Sequence, residues 1–390
     1  MTSDQAFLRD QAFLRELVSM KDEVGVVSLY TSTDPKEEAS NKPAWEIRLR
    51  NELSAMRDQV NSWTDRDLRL GVLARLEELE PDIQQLVDAT ESGIGRALYA
   101  PLSGGEVRRI SLQVPFRECA VMEPTAYVRP LVDAMATSAP AGLVVVSRDR
   151  VRLIDYRYGT AKDVAESILD PENGTWTPMR DVAPGEKAHE VSTHFDQHKR
   201  RDDDNLRRFL HGIAPEVRHR ATELAWKDVL LLGDAVLIEI LGSAMLPMKT
   251  VQVDSIVDTV PAPEVAKHVA AELAATRERR DAALIAQVQD AALSGGKGSL
   301  GLSKTLAMLK EGRVDHLLLD ESGHWSGERG DGVYLYYDQT PQAMDVEHVP
   351  DLGECMIELA VDTDALVTIL GAEAAQPLAS HDGVAALLRW

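Results

Sequence analysis

A segment rich in histidine, at about residues 185–204, carries the side chains with the most evident chemistry. Imidazole and carboxylate groups both ligate zinc, and four such groups occur here: His189, His194, Asp196 and His198. Their spacing matches no metal-binding motif, and a histidine-rich polar loop is explained as readily by solvation or by stacking on RNA. We therefore predict neither a metal site nor a cofactor.

The same segment leads into a run of basic residues, which is unusual in a chain with a formal charge of −22. From residue 196 to residue 220 there are seven Lys or Arg against five Asp or Glu. The basic residues are Lys199, Arg200, Arg201, Arg207, Arg208, Arg218 and Arg220. Because neutralising phosphates requires clustered positive charge, this local reversal of sign predicts contact with RNA. The alternative is a solvated helix start without a ligand, in which the carboxylates of residues 202–204 favour the helix N-terminus.

Length and composition indicate a folded protein of several domains. Hydrophobic cores stop growing near about 250 to 300 residues, so 390 residues are expected to form two or three domains. Cys119 and Cys355 form no Cys-x-x-Cys motif and are interpreted as buried thiols in a reducing compartment. The apolar stretch 229–246 contains Asp234 and Glu239, which a membrane-spanning helix would expose to lipid. We expect a cytoplasmic protein with neither membrane nor DNA as a partner.

Hydrophobic periodicity predicts an α+β unit over residues 1–139. A strand at 26–30 is followed by a helix whose apolar residues recur every three or four positions, as expected for one buried face. Asp65 is expected to cap a second helix, which Pro81 stops. Two short strands, at 96–100 and 107–114, complete this unit.

An α/β unit is predicted over residues 140–262. Strands at 143–147 and 151–156 read as a hairpin, and further strands are expected at 229–232 and 250–253. A long amphipathic helix is predicted from Leu206 to Leu224. The polar connection before it has little periodicity, and loops of such length in compact domains are usually functional or disordered.

A third unit is predicted over residues 263–390, after a linker at Pro261 to Pro263. Helical patterns cover 264–293 and 304–311, and a strand follows at 316–319. The end of the chain is expected to contain a strand at 355–361, a short helix at 363–370 and a final strand at 384–389. These elements describe a compact αβα domain.

Two stretches of this last domain resemble a known family. The pattern from Gly301 to Leu319 is similar to the third domain of the archaeo-eukaryotic class-one release factors and Pelota, and the ending Asp382 to Trp390 resembles a strand near the end of that domain. The chain looks most like the bacterial branch of this superfamily, which includes Vms-like and Balon-like factors. The resemblance implies a ribonuclease-H-like middle domain and a C-terminal αβα domain of the kink-turn-binding ribosomal protein type.

In the release factors, the loop before the long helix carries Gly-Gly-Gln, whose glutamine helps to orient the water that cleaves peptidyl-tRNA. The corresponding loop here keeps a glutamine, Gln197, but has Phe195 and Asp196 in place of the glycines. The resemblance therefore makes Gln197 the candidate catalytic residue. The predicted RNA-contacting residues are His198, Lys199, Arg200, Arg201, Arg207 and Arg208.

The function implied by the resemblance is binding to the ribosomal A-site in codon-independent rescue, surveillance or hibernation. Its partners would be ribosomal RNA and peptidyl-tRNA, with delivery by a translational GTPase left open. The missing glycines favour binding over catalysis, because Phe195 and Asp196 lack the backbone freedom of glycine. Two alternatives stay open: peptidyl-tRNA hydrolysis by Gln197, and an unrelated binding role that retains the fold. The first domain lacks the Asn-Ile-Lys-Ser motif that reads stop codons, so codon-dependent termination is not expected.

Overall fold

The computed structural model describes residues 11–33, 43–170, 175–182, 199–330, 334–337 and 346–390. The chain divides into two compact units: the first joins Met1–Thr137 with Asp281–Trp390, and the second is Ser138–Arg280. Both contain helices and sheets, which confirms the predicted α/β class. The division into three domains, at residues 139 and 262, stays a prediction. No helix within the described ranges is long and apolar enough to cross a membrane.

Among its described residues, the N-terminal part of the first unit contains five helices and one sheet. The helices are α1 (Gln11–Val18), α2 (Ala44–Asn61), α3 (Arg66–Glu78), α4 (Glu80–Val87) and α5 (Arg129–Thr137). The strands are β1 (Lys21–Ser32), β2 (Gly95–Pro101), β3 (Arg108–Leu112) and β4 (Cys119–Thr125). They form an antiparallel sheet in the order β3-β2-β1-β4.

Helices α2, α3 and α4 pack against this sheet through the predicted apolar face. Its α2 residues, Trp45, Leu49, Leu53, Met56 and Val60, are all buried. Asp65 caps α3 as predicted, accepting the N–H groups of residues 67 and 68. As predicted, α3 ends before Pro81, at Glu78. Pro81 itself lies in the first turn of α4, where its missing N–H would have no partner anyway.

The second unit is a layered α/β structure. Its strands are β5 (Ala141–Val146), β6 (Arg150–Arg157), β7 (Thr160–Asp170), β8 (Thr175–Trp176), β9 (Arg180–Asp181), β10 (Asp228–Gly233) and β11 (Val251–Asp254). The sheet order is β11-β10-β5-β6-β7-β8, with β9 also paired to β7. The helices are α6 (Lys199–Glu223), α7 (Ala235–Ala244), α8 (Ala262–His268) and α9 (Ala270–Leu293), the last of which continues into the first unit.

Helices cover both faces of this sheet. Successive residues of a strand point to opposite faces, so neighbouring residues of one strand enter different cores. On β5, Val144 and Val146 belong to the core beneath α6 and α7, while Leu143 and Val145 belong to the core beneath α8 and the start of α9. Buried Val265 and Val269 hold α8 to the sheet. The stretch 261–263, predicted as a linker, contains the start of α8, and the domain boundary placed there stays a prediction.

The C-terminal part of the first unit has two small sheets in the ranges that the structure describes. Its strands are β12 (Gly298–Leu300), β13 (Val314–Asp320), β14 (Gly327–Gly330), β15 (Tyr334–Tyr336), β16 (Val346–Val349), β17 (Leu366–Leu370) and β18 (Val384–Leu388). The sheet orders are β12-β18-β13-β17 and β15-β14-β16. The helices are α10 (Leu302–Lys310), α11 (Leu352–Asp362) and α12 (Ala372–Ala375), and a 3-10 turn follows at Gln376–His381.

The predicted strand at 355–361 and helix at 363–370 are wrong. Residues 355–361 lie in α11, whose start is capped by Asp351. Most residues of α11 are buried. The mainly apolar stretch 355–361 therefore resembles the sequence of a central strand. Residues 366–370 form β17, parallel to β13, and their β-branched Val367, Thr368 and Ile369 suit a strand.

The two parts of the first unit meet at an interface cluster formed by Tyr127, Val128, Arg129, Asp351 and Glu354. Glu354 is only 6% exposed, and its carboxylate accepts the backbone N–H groups of Val128 at 2.6 Å and Arg129 at 2.8 Å. These N–H groups lie at the start of α5, where a helix has no partner of its own for them. Burial raises the pKa of Glu354 well above its usual range, although the two N–H donors favour the charged form.

Arg129 makes the second half of the interface cluster. Its guanidinium is 3% exposed and binds both carboxylate oxygens of Asp351, at 2.8 and 3.1 Å. It also donates to the Gly323 carbonyl at 2.6 Å and lies 5.2 Å from the ring centroid of Trp325. The hydroxyl of Tyr127 donates to Asp351 at 2.9 Å. Buried charges are thus matched across the two parts of the unit.

Candidate functional site

Helix α6 is the element that presents the predicted basic residues. Its buried side chains are Leu206, Leu210, Ile213, Ala214, Val217 and Ala221, which confirms the predicted apolar face. Pro215 lies inside the helix on the exposed side, and the helix continues beyond it.

The C-terminal end of α6 is anchored by Trp226. Its indole packs against the backbone of Gly142, where a Cβ would lie 2.0 Å from the ring, so glycine is needed there. The indole N–H donates to Asp155 at 2.7 Å, and Arg157 joins Asp155 to the Leu224 carbonyl at the end of α6. This network fixes the helix relative to the sheet.

A short segment, Thr175–Val182, which we call the strap, runs along the sheet edge beside α6. Near its beginning, the Trp176 ring stacks on Phe209 of α6, with centroids 3.7 Å apart and planes 7° apart. Near its end, Asp181 pairs with Arg220 of α6 at 2.7 Å. Five extended residues and eleven helical residues both rise about 16 Å, so the strap and α6 run side by side.

The strap is also fixed to the sheet by charge. Buried Glu166 of β7 accepts Arg180 of the strap and Arg150 of β6, at 2.5 and 2.6 Å. Burial alone would raise the pKa of Glu166, but the two guanidinium donors hold it below its usual value. The Arg180 side chain is 48% exposed. The ion-pair network Arg150–Glu166–Arg180 therefore extends from the buried sheet to the protein surface.

The predicted site residues fall into three groups. Gln197 and His198 lie outside the described residues. Lys199, Arg200 and Arg201 begin α6, and the structure describes only their backbone. Arg207 and Arg208 are exposed near the same end of the helix, and Arg208 donates to Asn205.

Two of the basic residues counted in the sequence serve the fold. Arg218 donates to the Ala244 carbonyl at the end of α7 at 2.6 Å. Arg220 binds Asp181 of the strap and lies within 3.5 Å of Glu216 and Glu223. The predicted RNA-contacting surface is therefore represented, within the described residues, by Arg207 and Arg208.

Within the described residues, no group of three or more His, Cys, Asp or Glu is arranged to hold a metal ion. The histidines at 189, 194 and 198 lie outside these residues. The two thiols are poor nucleophiles, because burial raises the pKa of Cys119 to about 12 and of Cys355 to about 11. What the site offers chemically is a pair of exposed guanidinium-bearing residues in the same turn of α6 as Phe209, whose ring stacks on Trp176.

Sequence reasoning missed the strap. Trp176 stands among polar and proline residues, and its partner Phe209 is 33 residues away, so no local periodicity marks the pair. The sequence feature that could have indicated the strap is Trp176 followed by Arg180. An aromatic residue close to a basic one is unusual in a polar connection.

The second unit is a layered α/β domain with a long helix that carries basic residues at its start. This architecture can be compared with known domains, but by itself it does not fix a function. Residues 140–271 match the family described as bacterial archaeo-eukaryotic release factor family 5. This match spans nearly the whole second unit and confirms the resemblance to the bacterial branch of the superfamily. The second unit is therefore similar to the domain that this family describes.

Three individual proteins similar to this chain share 20% of their sequence with it or less. The uncharacterized protein YocB of Bacillus subtilis is 20% identical over 224 residues, which is 56% of this chain and 82% of YocB. The archaeal translation termination factor aRF1 is 17% identical, with 100% of this chain and 98% of that chain covered and a TM-score of 0.26. Pelota from Archaeoglobus fulgidus is 12% identical, with 76% and 79% covered and a TM-score of 0.33.

Proposed function

We propose that this protein is a ribosome-associated translation factor that binds the A-site in codon-independent rescue, surveillance or hibernation. The observation that carries the proposal is the release-factor-like second unit, whose α6 begins with basic residues and exposes Arg207 and Arg208. Its partners would be ribosomal RNA and peptidyl-tRNA, and delivery by a translational GTPase is part of the same proposal.

The distribution of charge supports RNA contact through the second unit. Residues 138–280 contain 20 Lys or Arg against 23 Asp or Glu, whereas residues 281–390 contain 6 against 18. Phosphate repels a strongly acidic surface and attracts clustered cations. The nearly balanced second unit is therefore the part of the chain best able to approach RNA.

The double substitution Arg207→Glu with Arg208→Glu is expected to weaken ribosome binding by roughly tenfold or more, because two phosphate contacts become repulsions. The measurement is cosedimentation with ribosomes from growing and from starved cells, over a series of salt concentrations. Lys227→Glu with Lys249→Glu is the matched control, since both lysines are exposed in the same unit. Failure of the wild-type protein to cosediment with either ribosome preparation at low salt would contradict the proposal and favour an unrelated binding role.

The alternative function is peptidyl-tRNA hydrolysis, with Gln197 positioning the attacking water. A positioned amide can be enough, since the ribosome itself already holds the ester substrate. If this alternative holds, the wild-type protein releases peptide from stalled ribosome complexes and Gln197→Ala slows release by about a hundredfold or more. Equal release by both proteins removes Gln197 from the mechanism, and no release by either leaves binding as the function.

A further inference from the structure

We propose that the Trp176–Phe209 stack, with Arg207 and Arg208 in the same turn of α6 as Phe209, is a stacking site for an unpaired RNA base. The inference rests on the proposed function and names the chemistry of one contact. Both rings are only partly buried, and each packs against the core of the second unit. The pair therefore belongs to the folded surface and not to a loop end.

The geometry of this ring pair differs from that of aromatic pairs in the core. Tyr30 meets Tyr99 and Phe116 edge to face, at interplanar angles of 89° and 84°, as buried rings commonly do. Trp176 and Phe209 instead lie parallel, 3.7 Å apart. That separation is close to the rise of about 3.4 Å per nucleotide in a stacked strand, so a base on the outer face of either ring would continue the stack.

The surroundings select a nucleotide over an apolar ligand. Arg207 and Arg208 directly precede Phe209 and are exposed, as are Thr175 and Thr177 of the strap. A base needs a flat apolar partner, and its backbone needs nearby positive charge. Aromatic rings beside basic side chains provide both, and they favour single strands, whose bases can be splayed out, over duplex RNA.

The test uses the full chain and a fluorescently labelled oligonucleotide of eight adenosines. Trp176→Leu is expected to weaken binding by about tenfold, while Trp176→Phe restores most of the affinity because a flat ring is kept. Trp63→Leu is the control, since Trp63 is a half-buried tryptophan of the first unit. A thermal unfolding curve for each variant separates lost stacking from lost folding, and Trp176→Phe keeps the test valid if the leucine variant is unstable.

Two outcomes overturn the inference: unchanged affinity in a folded Trp176→Leu protein, or competition by an eight-base-pair RNA duplex as strong as that by the single strand. Its failure is distinguishable from failure of the proposed function. Ribosome cosedimentation without Trp176-dependent oligonucleotide binding removes the stacking site and leaves the translation factor. If oligonucleotide binding depends on Trp176 but the protein does not cosediment with ribosomes, the stacking site stands and the translation-factor proposal fails.

Discussion

Replacing Glu354 by alanine is expected to lower the free energy of unfolding of the first unit by about 3 kcal/mol. The substitution removes a buried carboxylate that accepts two backbone N–H groups at the start of α5. In the alanine variant these two N–H groups would stay buried without an acceptor, which costs free energy. Removing the side chain would also leave a cavity lined by these polar groups. Urea unfolding of the full chain measures the effect, provided that transitions of the two units are resolved.

Glu373→Ala is the matched control for this prediction, because Glu373 is an exposed glutamate of the same C-terminal part. Surface substitutions of this kind usually change stability by less than about 0.5 kcal/mol. If Glu354→Ala unfolds at the same urea concentration as Glu373→Ala, the interface cluster does not stabilise the unit.

The first unit is expected to be more stable at pH 5 than at pH 8, and Asp133→Asn should remove part of this difference. Burial raises the pKa of Asp133 from 3.8 to about 6, with Glu321 adding to the shift and Arg129 opposing it. An acid whose folded pKa is raised stabilises the protein below its unfolded pKa, and this stabilisation is lost as pH rises through the folded pKa. The window is therefore about pH 4 to 6.

From a pH well below this window to one well above it, Asp133 accounts for a change of about 3 kcal/mol. The asparagine variant should match the wild type near pH 4 and exceed its stability at pH 8, as measured by urea unfolding at each pH. Asp362→Asn, at an exposed aspartate, should leave the pH dependence unchanged. Parallel curves for the wild type and Asp133→Asn would show that the carboxyl is not penalised in the fold.

The sequence was sufficient where an element buries only one face. The apolar residues of α2 and α6 recur at helical spacing because the opposite face meets solvent, and both helices lie where they were predicted. The same reasoning failed for α11, because buried residues, Glu354 among them, occupy most positions of the helix and are not confined to one face. It also failed for β4, whose residues are all partly buried except the exposed Pro124, so that neither alternation nor composition marks a strand.

For the candidate site, sequence alone identified the helix and its basic start but not what holds them. Arg218 and Arg220 count as positive charge in the sequence, yet their partners are the Ala244 carbonyl and Asp181. These partners lie on other elements of the fold. Counting charges along the sequence therefore cannot distinguish Arg218 and Arg220, which are held by structural contacts, from the exposed Arg207 and Arg208. The resemblance to the release factors supplied the candidate Gln197, which local patterns could not have supplied.

The interface cluster also determines the order in which the protein can be completed during synthesis. Val128 and Glu354 are 226 positions apart, so the start of α5 must wait for α11 to leave the ribosome before it gains its cap. The second unit is continuous from Ser138 to Arg280, and all of its strands are available earlier. Domains usually finish folding from the N-terminus onward as they are synthesised. Here the first unit is finished after the second, and its part before Ser138 has to remain soluble while the whole second unit is made.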